Sequence, residues 1–262
     1  MTGINEDFVF QVMVRKGVKQ SKERLDLLLV DRGLAESRQK AQALIMAGEV
    51  QVDGLTCTKA GQAVSTTAQI RVVRPMPYVS RGGIKLEAAL EHFSIQVEGT
   101  CILDVGASTG GFTHCLLQRG ARKVLAVDVG HGQLDASLRQ DPRVVLLERC
   151  NIRYLTPGDL PELPDMATID VSFISLRLVL PTVVGLLKAR AKGILALVKP
   201  QFEVGKKEVG KGGVVRDEKL HERVLKEIEA AGLYLGLSPS EPFASPLLGP
   251  KGNREFFIWF TR

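Results

Sequence analysis

Leu103-Asp104-Val105-Gly106-Ala107-Ser108-Thr109-Gly110-Gly111-Phe112-Thr113 runs from a predicted strand through a glycine-rich turn into a predicted helix. Glycines at such a turn let the backbone approach a ligand closely, and the helix N-terminus presents unpaired amides. A nucleotide-like cofactor fits this turn. The spacing G-x-x-x-G-G differs from the dinucleotide fingerprint G-x-G-x-x-G, so hydride carriers are not expected. The next strand ends in Val127-Asp128, 24 residues after Asp104, where an acidic side chain accepts hydrogen bonds from both ribose hydroxyls.

On either side of this turn, apolar strands alternate with helical stretches. Cys101 to Val105, Val124 to Val127, Val144 to Leu147, Met166 to Val171 and Ile194 to Val198 are short and β-branched-rich. Helices are expected over Phe112 to Arg119, Leu134 to Arg139, Ser175 to Arg190 and Lys219 to Ala231. That alternation predicts a doubly wound parallel sheet. The tail Arg254-Glu255-Phe256-Phe257-Ile258-Trp259-Phe260 reads as a buried strand, antiparallel at or near an edge.

Chemistry is expected at the carboxyl ends of the strands, where open α/β sheets form their crevice. Asp170 ends the fourth strand and Lys199 the fifth; a lysine following Ile194-Leu195-Ala196-Leu197-Val198 is otherwise a costly burial. Glu255 falls within the last apolar strand, and Lys85 near the start of the helix that precedes the sheet. Singly, each could be a surface ion pair or a strand-edge charge; in this architecture the four read as one cluster. Residues Gly205 to Lys211 nearly match a phosphate-binding loop, but Gly212 stands where Ser or Thr would hold magnesium, which excludes nucleoside triphosphatase activity. The segment is read instead as a basic loop that touches substrate phosphates, or as a solvated charge run. His92, His114, His131 and His221 show no ligand spacing, and no metal site is expected.

Upstream lies a smaller module. Leu25, Leu28 and Leu29 form an i, i+3, i+4 stripe closed at Gly33, and Ser37 caps a second helix whose face is Ala41, Leu44 and Ile45, stopped at Gly48. Glu49 to Gly54 and Gln69 to Val73 alternate like strands, and Arg74-Pro75-Met76-Pro77 reads as a linker. The expected division is an extension over 1–20, a small α+β domain over 21–73, a linker over 74–79 and a catalytic domain over 80–262.

Composition bounds the function. The 262 residues are 45% hydrophobic and 24% charged, as in globular chains, and 35 Lys and Arg against 29 Asp and Glu give +6, a mild lean toward an anionic partner. The longest uncharged apolar run, Leu178 to Leu187, is about half of a bilayer span. Glu6 and Asp7 stand where a signal peptide carries basic residues, so the usual secretion route is not expected. Cysteines at 57, 101, 115 and 150 fit neither a metal-ligand spacing nor a disulfide scaffold, and a reducing cytoplasm is expected.

Tyr78 to Leu86, the Asp104 to Thr113 turn, Val127 to Leu134, Ile169 to Leu176, and Lys199 to Glu203 with Gly212 to Asp217 together resemble the TlyA family. These are bacterial ribosomal RNA ribose 2′-O-methyltransferases, also labelled haemolysin A, and their catalytic domain is similar to the FtsJ (RrmJ) fold. The resemblance runs from Ser21 to Phe260, with Glu23 to Gly54 similar to the S4 RNA-binding domain. It implies an S4-like α+β domain followed by a Rossmann-like class I methyltransferase domain. It implies S-adenosylmethionine as cofactor and a Lys-Asp-Lys-Glu tetrad carried by Lys85, Asp170, Lys199 and Glu255. Cofactor contacts are then expected from Ser80, Asp104, Gly106, Ala107, Ser108, Gly110, Gly111, Phe112, Asp128, Asn151 and Asp170. RNA contacts are expected from a basic helical face of Arg24, Arg32, Arg38 and Lys40, together with Arg81, Lys206, Lys207 and Lys211.

The implied partner is ribosomal RNA or a ribosomal subunit, large or small, with a cytidine ribose as methyl acceptor; the oligomeric state stays open, with a monomer favoured. Lys199 serves as general base or as electrostatic stabiliser, with Asp170 and Glu255 orienting it and Lys85 positioning the hydroxyl. Two other classes are a membrane-active haemolysin, which needs an amphipathic or spanning segment, and a non-catalytic RNA-binding assembly factor, which leaves the tetrad unexplained.

Overall fold

The computed structural model describes residues 21–72, 77–205 and 208–262. The extension over 1–20, residue 73 at the end of the expected small domain, the first half of the expected linker (74–76), Lys206 and Lys207 lie outside the described residues. The chain divides between Pro75 and Met76 into two units, each with its own core.

The first unit contains β1 (Lys22–Arg24), α1 (Leu25–Asp31), α2 (Arg38–Met46), β2 (Val50–Val52), β3 (Leu55–Cys57), β4 (Ala63–Ser65) and β5 (Ile70–Val72). Ser37 caps α2 by accepting from the Lys40 amide, and Gly33 and Gly48 close the two helices with φ of 67° and 75°. Asp53 and Gly54, both at positive φ, turn β2 into β3; β5 pairs with the other edge of β2. Leu25, Leu28, Leu29, Ala41 and Ile45 from the helices pack on Val50 and Ile70 from this sheet. The pairing of β1 with β4 was not expected: Lys-Glu-Arg carries no apolar alternation, and its three residues are exposed.

The second unit runs α3 (Arg81–His92), β6 (Cys101–Val105), α4 (Gly111–Gln118), β7 (Lys123–Val127), α5 (Ala136–Arg139), β8 (Val144–Leu147), β9 (Met166–Ile169), α6 (Leu176–Leu186), β10 (Gly193–Val198), α7 (Pro200–Glu203), α8 (Glu218–Tyr234), β11 (Ser238–Pro239), β12 (Phe243–Ala244) and β13 (Phe256–Thr261). The sheet order is β11-β13-β10-β9-β6-β7-β8, with β12 also on β13. Strands β8 to β10 of that order are parallel, and β13 runs antiparallel to β10. The chain moves outward from β6 through β7 to β8, then returns to lay β9 on the other side of β6. The direction of winding therefore reverses between β6 and β9, which opens the crevice at their carboxyl ends.

Both faces of the sheet are covered, which is why its strands read as continuous apolar runs. Leu103, Val105, Ala196 and Val198 pack in one core, while their neighbours Ile102, Leu195 and Leu197 pack in the other. Several expected boundaries shift. The fourth strand stops at Ile169, α5 begins only after the Asp135 cap, and α6 ends at Leu186, beyond which Leu187 is extended. Glu255 precedes β13 rather than lying within it.

Candidate active site

The β6–α4 turn is shaped by its glycines. Gly106 has φ of 85°, and a Cβ there would stand 2.5 Å from the Asp170 carbonyl oxygen, so only glycine lets β6 and β9 approach this closely. Gly110 has φ of 95°, and a Cβ would run into the side chains of Leu134 and Leu138. Asp128, at the end of β7, accepts from the Ser108 amide at 2.8 Å and from the Gly130 amide at 2.7 Å. It thereby fixes the turn while its carboxylate still lines a cavity of about 470 Å³, within the range of small-molecule sites.

Gly106, Ser108, Asn151 and Asp170 also line this cavity, with Val127, Val129, Ile152, Phe173 and Ile174 as apolar walls. Glu148 steadies the adjoining loop by accepting from the Gly132 amide at 2.7 Å, and the Arg139 guanidinium beside it holds its carboxyl down at about 2. Polar groups at one end, an acidic acceptor and apolar walls fit a nucleoside-bearing cofactor.

A second cavity, of about 420 Å³, shares Gly106, Ser108 and Asp170 with the first and is lined by Ser80, Arg81, Ala107, Gly111 and Phe112. Lys85, Asp170, Lys199 and Glu255 all face it. The four form two ion pairs: Lys199 Nζ to Asp170 Oδ1 at 2.6 Å, and Lys85 Nζ to Glu255 Oε2 at 2.6 Å. Both lysines are about nine-tenths buried, so their amino groups face these partners rather than bulk water. Glu255 therefore pairs with Lys85, not with Lys199 as expected. Its other oxygen, Oε1, is buried with no hydrogen-bond partner among the described residues. Lys199 also donates to Ser172 Oγ at 3.0 Å.

Asp104 stands apart from the cofactor contacts expected of it. It is fully buried beneath the turn, lines neither cavity, and accepts from Thr113 Oγ1 at 2.6 Å and Thr168 Oγ1 at 3.1 Å. Burial pushes its carboxyl up to about 6. Gly110 belongs likewise to the packing of the turn rather than to either cavity wall. Sequence reasoning missed Ser172, Phe173 and Glu203. Phe173 is 90% exposed at φ 64° and rests on Phe202, and Glu203 is buried against the start of α6. The exposed aromatic gave no periodic signal; the carboxylate after Lys199-Pro200-Gln201-Phe202 was visible only as one more charge.

In the first unit the basic residues do not share one helical face. Arg24 lies in β1 and Arg32 beyond α1, where it donates to the Thr66 and Ala68 carbonyls at 2.7 Å; Arg38 and Lys40 alone are on a helix. Arg24 and Arg38 converge on Asp26, a carboxylate no side-chain reading had singled out. Arg24 binds both its oxygens at 2.9 and 2.8 Å, Arg38 adds 3.0 Å and Gln42 2.9 Å, and the Arg24 guanidinium foremost drives the carboxyl far below its ordinary range. Lys40 and, in the second unit, Arg81 and Lys211 are exposed.

Residues 78–262 match the FtsJ-like methyltransferase family, and residues 23–70 match the S4 domain. The 16S/23S rRNA (cytidine-2′-O)-methyltransferase TlyA of Mycobacterium tuberculosis is 52% identical over 90% of this chain and 88% of its own. Hemolysin A of Brachyspira hyodysenteriae is 42% identical over 90% of this chain and 99% of its own. A solved Streptococcus thermophilus protein with a hemolysin designation superposes with a TM-score of 0.70 at 43% identity, covering 93% of this chain and 89% of that one. With both domains matched in order and the relatives covered nearly end to end, the chain belongs to the TlyA family, an S4 domain joined to an FtsJ-like methyltransferase domain.

Proposed function

We propose that this protein is an S-adenosylmethionine-dependent methyltransferase acting on a ribose 2′-hydroxyl of ribosomal RNA, a cytidine ribose as in the named TlyA relative. The observation that carries this reading is the adjacency of two cavities through Gly106, Ser108 and Asp170, one suited to a nucleoside and the other ringed by two lysines and two carboxylates. When bound, S-adenosylmethionine supplies a methyl group on a cationic sulfur. Asp128 and Asn151 would hold its nucleoside end, and the Gly106 turn would hold the rest.

The chain's own task is to align a hydroxyl and deal with its proton. Lys199 is ion-paired with Asp170, donates to Ser172 and lines the cavity, where a remaining direction at Nζ would meet the hydroxyl. With Lys199 charged, that direction is an N–H that stabilises the developing alkoxide; with Lys199 neutral, it is a lone pair that takes the proton. Lys85, fixed by Glu255, donates to the same hydroxyl and holds it in line. Exposed Arg81 and Lys211 and the arginines of the S4 unit meet phosphates, a sequence-independent contribution that weakens with salt.

This work is placed in the cytoplasm, where ribosomes are. Among the described residues no helix is long and apolar enough to cross a membrane. Neither lysis nor passive RNA binding gives the four-residue cluster a task. The test is incubation of undermodified ribosomal subunits with methyl-labelled cofactor, followed by nuclease digestion and mass analysis. Label in 2′-O-methylcytidine is the expected result. A protein that binds the cofactor yet leaves both subunits unlabelled would overturn the assignment.

A further inference from the structure

Glu203 is a buried carboxylate that the reaction as described does not use. Its side chain is 2% exposed. Oε2 accepts from Ser175 Oγ at 2.5 Å, and Oε1 accepts from the Leu176 amide at 2.8 Å, the first amide of α6. The contact joins two segments that each leave the sheet at the active site. Ser175 and Leu176 come five and six residues after Asp170, and Glu203 comes four residues after Lys199.

The segment after β10 is helical, whereas the one after β9 has no regular structure. Pro200–Glu203 is one turn of α7, in which Phe202 N donates to the Lys199 carbonyl at 2.9 Å, and Val204 N donates to Pro200 O at 3.1 Å. Across the gap the Phe173 and Phe202 rings lie 4.9 Å apart. The circuit closes at its far side through the 2.6 Å Lys199–Asp170 pair and the 3.0 Å bond from Lys199 to Ser172.

We propose that Glu203 is a positioning residue that sets the Lys199–Asp170 geometry by clasping the loop after β9 to the turn after β10. The inference rests on the methyltransferase reading above. Glu203 touches neither cavity and takes no part in proton movement. Arg177 faces it from α6, 3.9 Å away, and donates to its backbone carbonyl, while Glu227 approaches from α8. Burial raises its carboxyl above the ordinary range, so the group is kept there at a cost that its two short hydrogen bonds offset. Without the clasp, Ser172 and Asp170 lose their fixed distance from Lys199, and misplacement by about 1 Å costs on the order of 10²-fold in rate.

Three substitutions separate reach from charge. Glu203→Ala removes the clasp, Glu203→Asp keeps the charge but falls one methylene short, and Glu203→Gln keeps the length and an acceptor for the Leu176 amide. In single-turnover methylation at saturating cofactor and RNA, beside the wild-type chain, the alanine and aspartate variants are expected to lose roughly 10²-fold in rate. The rate loss should exceed any change in the cofactor or RNA dissociation constants, and glutamine should restore most of the rate. An alanine variant at the wild-type rate, a loss that follows lost binding, or rescue by aspartate instead of glutamine would overturn the proposal.

A second readout does not depend on methylation. The Lys199 side-chain NMR signal, assigned through Lys199→Arg in the full chain, should move in Glu203→Ala and return in Glu203→Gln. An unmoved signal rejects the clasp on its own. An inactive wild-type chain in which the signal does move rejects the methyltransferase reading and leaves the clasp standing.

Discussion

Lys199 Nζ stands 2.6 Å from Asp170 Oδ1, and the two residues are the first beyond the neighbouring parallel strands β10 and β9. Parallel strands deliver both residues to the same end of the sheet, so topology brings the pair together and the contacts beyond the strands set its geometry. Five fully buried residues, Ile194 to Val198, hold the lysine on a rigid element.

Lys199→Ala should therefore lower single-turnover methylation by roughly 10²-fold or more without a comparable loss of cofactor or RNA binding. Lys199→Arg separates the two possible roles, because guanidinium stays charged and cannot take up a proton. Substantial activity in the arginine variant excludes the general-base role, whereas a near-wild-type alanine variant removes Lys199 from the mechanism. Lys85 is a less clean target: it is paired with a fully buried Glu255 side chain, and stranding that charge destabilises the fold itself.

For Asp128, the expected result is weaker cofactor binding. Asp128→Ala removes the acceptor proposed for the ribose and also the two acceptors that fix the amides of Ser108 and Gly130, each on the scale of about 1.5 to 3 kcal/mol for a hydrogen bond to a charged group. Titration calorimetry with S-adenosylmethionine checks it, with circular dichroism to confirm that the sheet is intact. Unchanged affinity would mean that Asp128 only braces the turn.

What could be read in advance divides along physical lines. The five parallel strands were legible because burial on both faces leaves uninterrupted apolar runs, and the tetrad residues because a charge beside such a run is costly unless it has a task. Pairing partners were not legible: nothing local says that Glu255 meets Lys85, 170 residues away, rather than Lys199. Asp104 misled for a related reason. Its place before Gly106 is that of a ligand contact, yet its side chain turns under the sheet to Thr113 and Thr168. The exposed three-residue strand β1 carried no pattern at all.

Asp104 gives the catalytic unit a pH signature. Its folded value of about 6 lies above the unfolded value of about 3.9, so the folded state holds the proton more tightly. Its contribution to stability is greatest below the unfolded value, declines as pH rises between roughly 4 and 6, and is flat above that. Asp104→Asn removes the titration, so across that window the variant should gain on the wild type in urea-unfolding midpoint. Parallel pH profiles for the two proteins would show that Asp104 does not titrate there.

Asp26 provides the sharpest test in the S4 unit, because charge and geometry predict opposite signs. Its fully buried carboxylate takes four hydrogen bonds from Arg24, Arg38 and Gln42, while the two arginine side chains remain 45% and 54% exposed. Asp26→Ala makes the surface more positive by one charge. Coulomb attraction alone then predicts tighter RNA binding, with the same or a steeper salt dependence. If Asp26 instead holds the two guanidinium groups as a prearranged fork for phosphates, freeing them adds an ordering cost, and affinity falls. We expect weaker binding to ribosomal RNA fragments across a salt series, with Asp26→Asn intermediate because it keeps one acceptor oxygen. The same variant should destabilise the small unit by about 1.5 to 3 kcal/mol, the scale of a hydrogen bond to a charged group. Because the Arg24 guanidinium depresses the folded carboxyl, that stabilisation is present above the unfolded value of about 3.9 and fades only as pH falls through the lower folded one. Tighter binding by Asp26→Ala at every salt concentration would reduce Asp26 to a structural anchor with no part in RNA recognition.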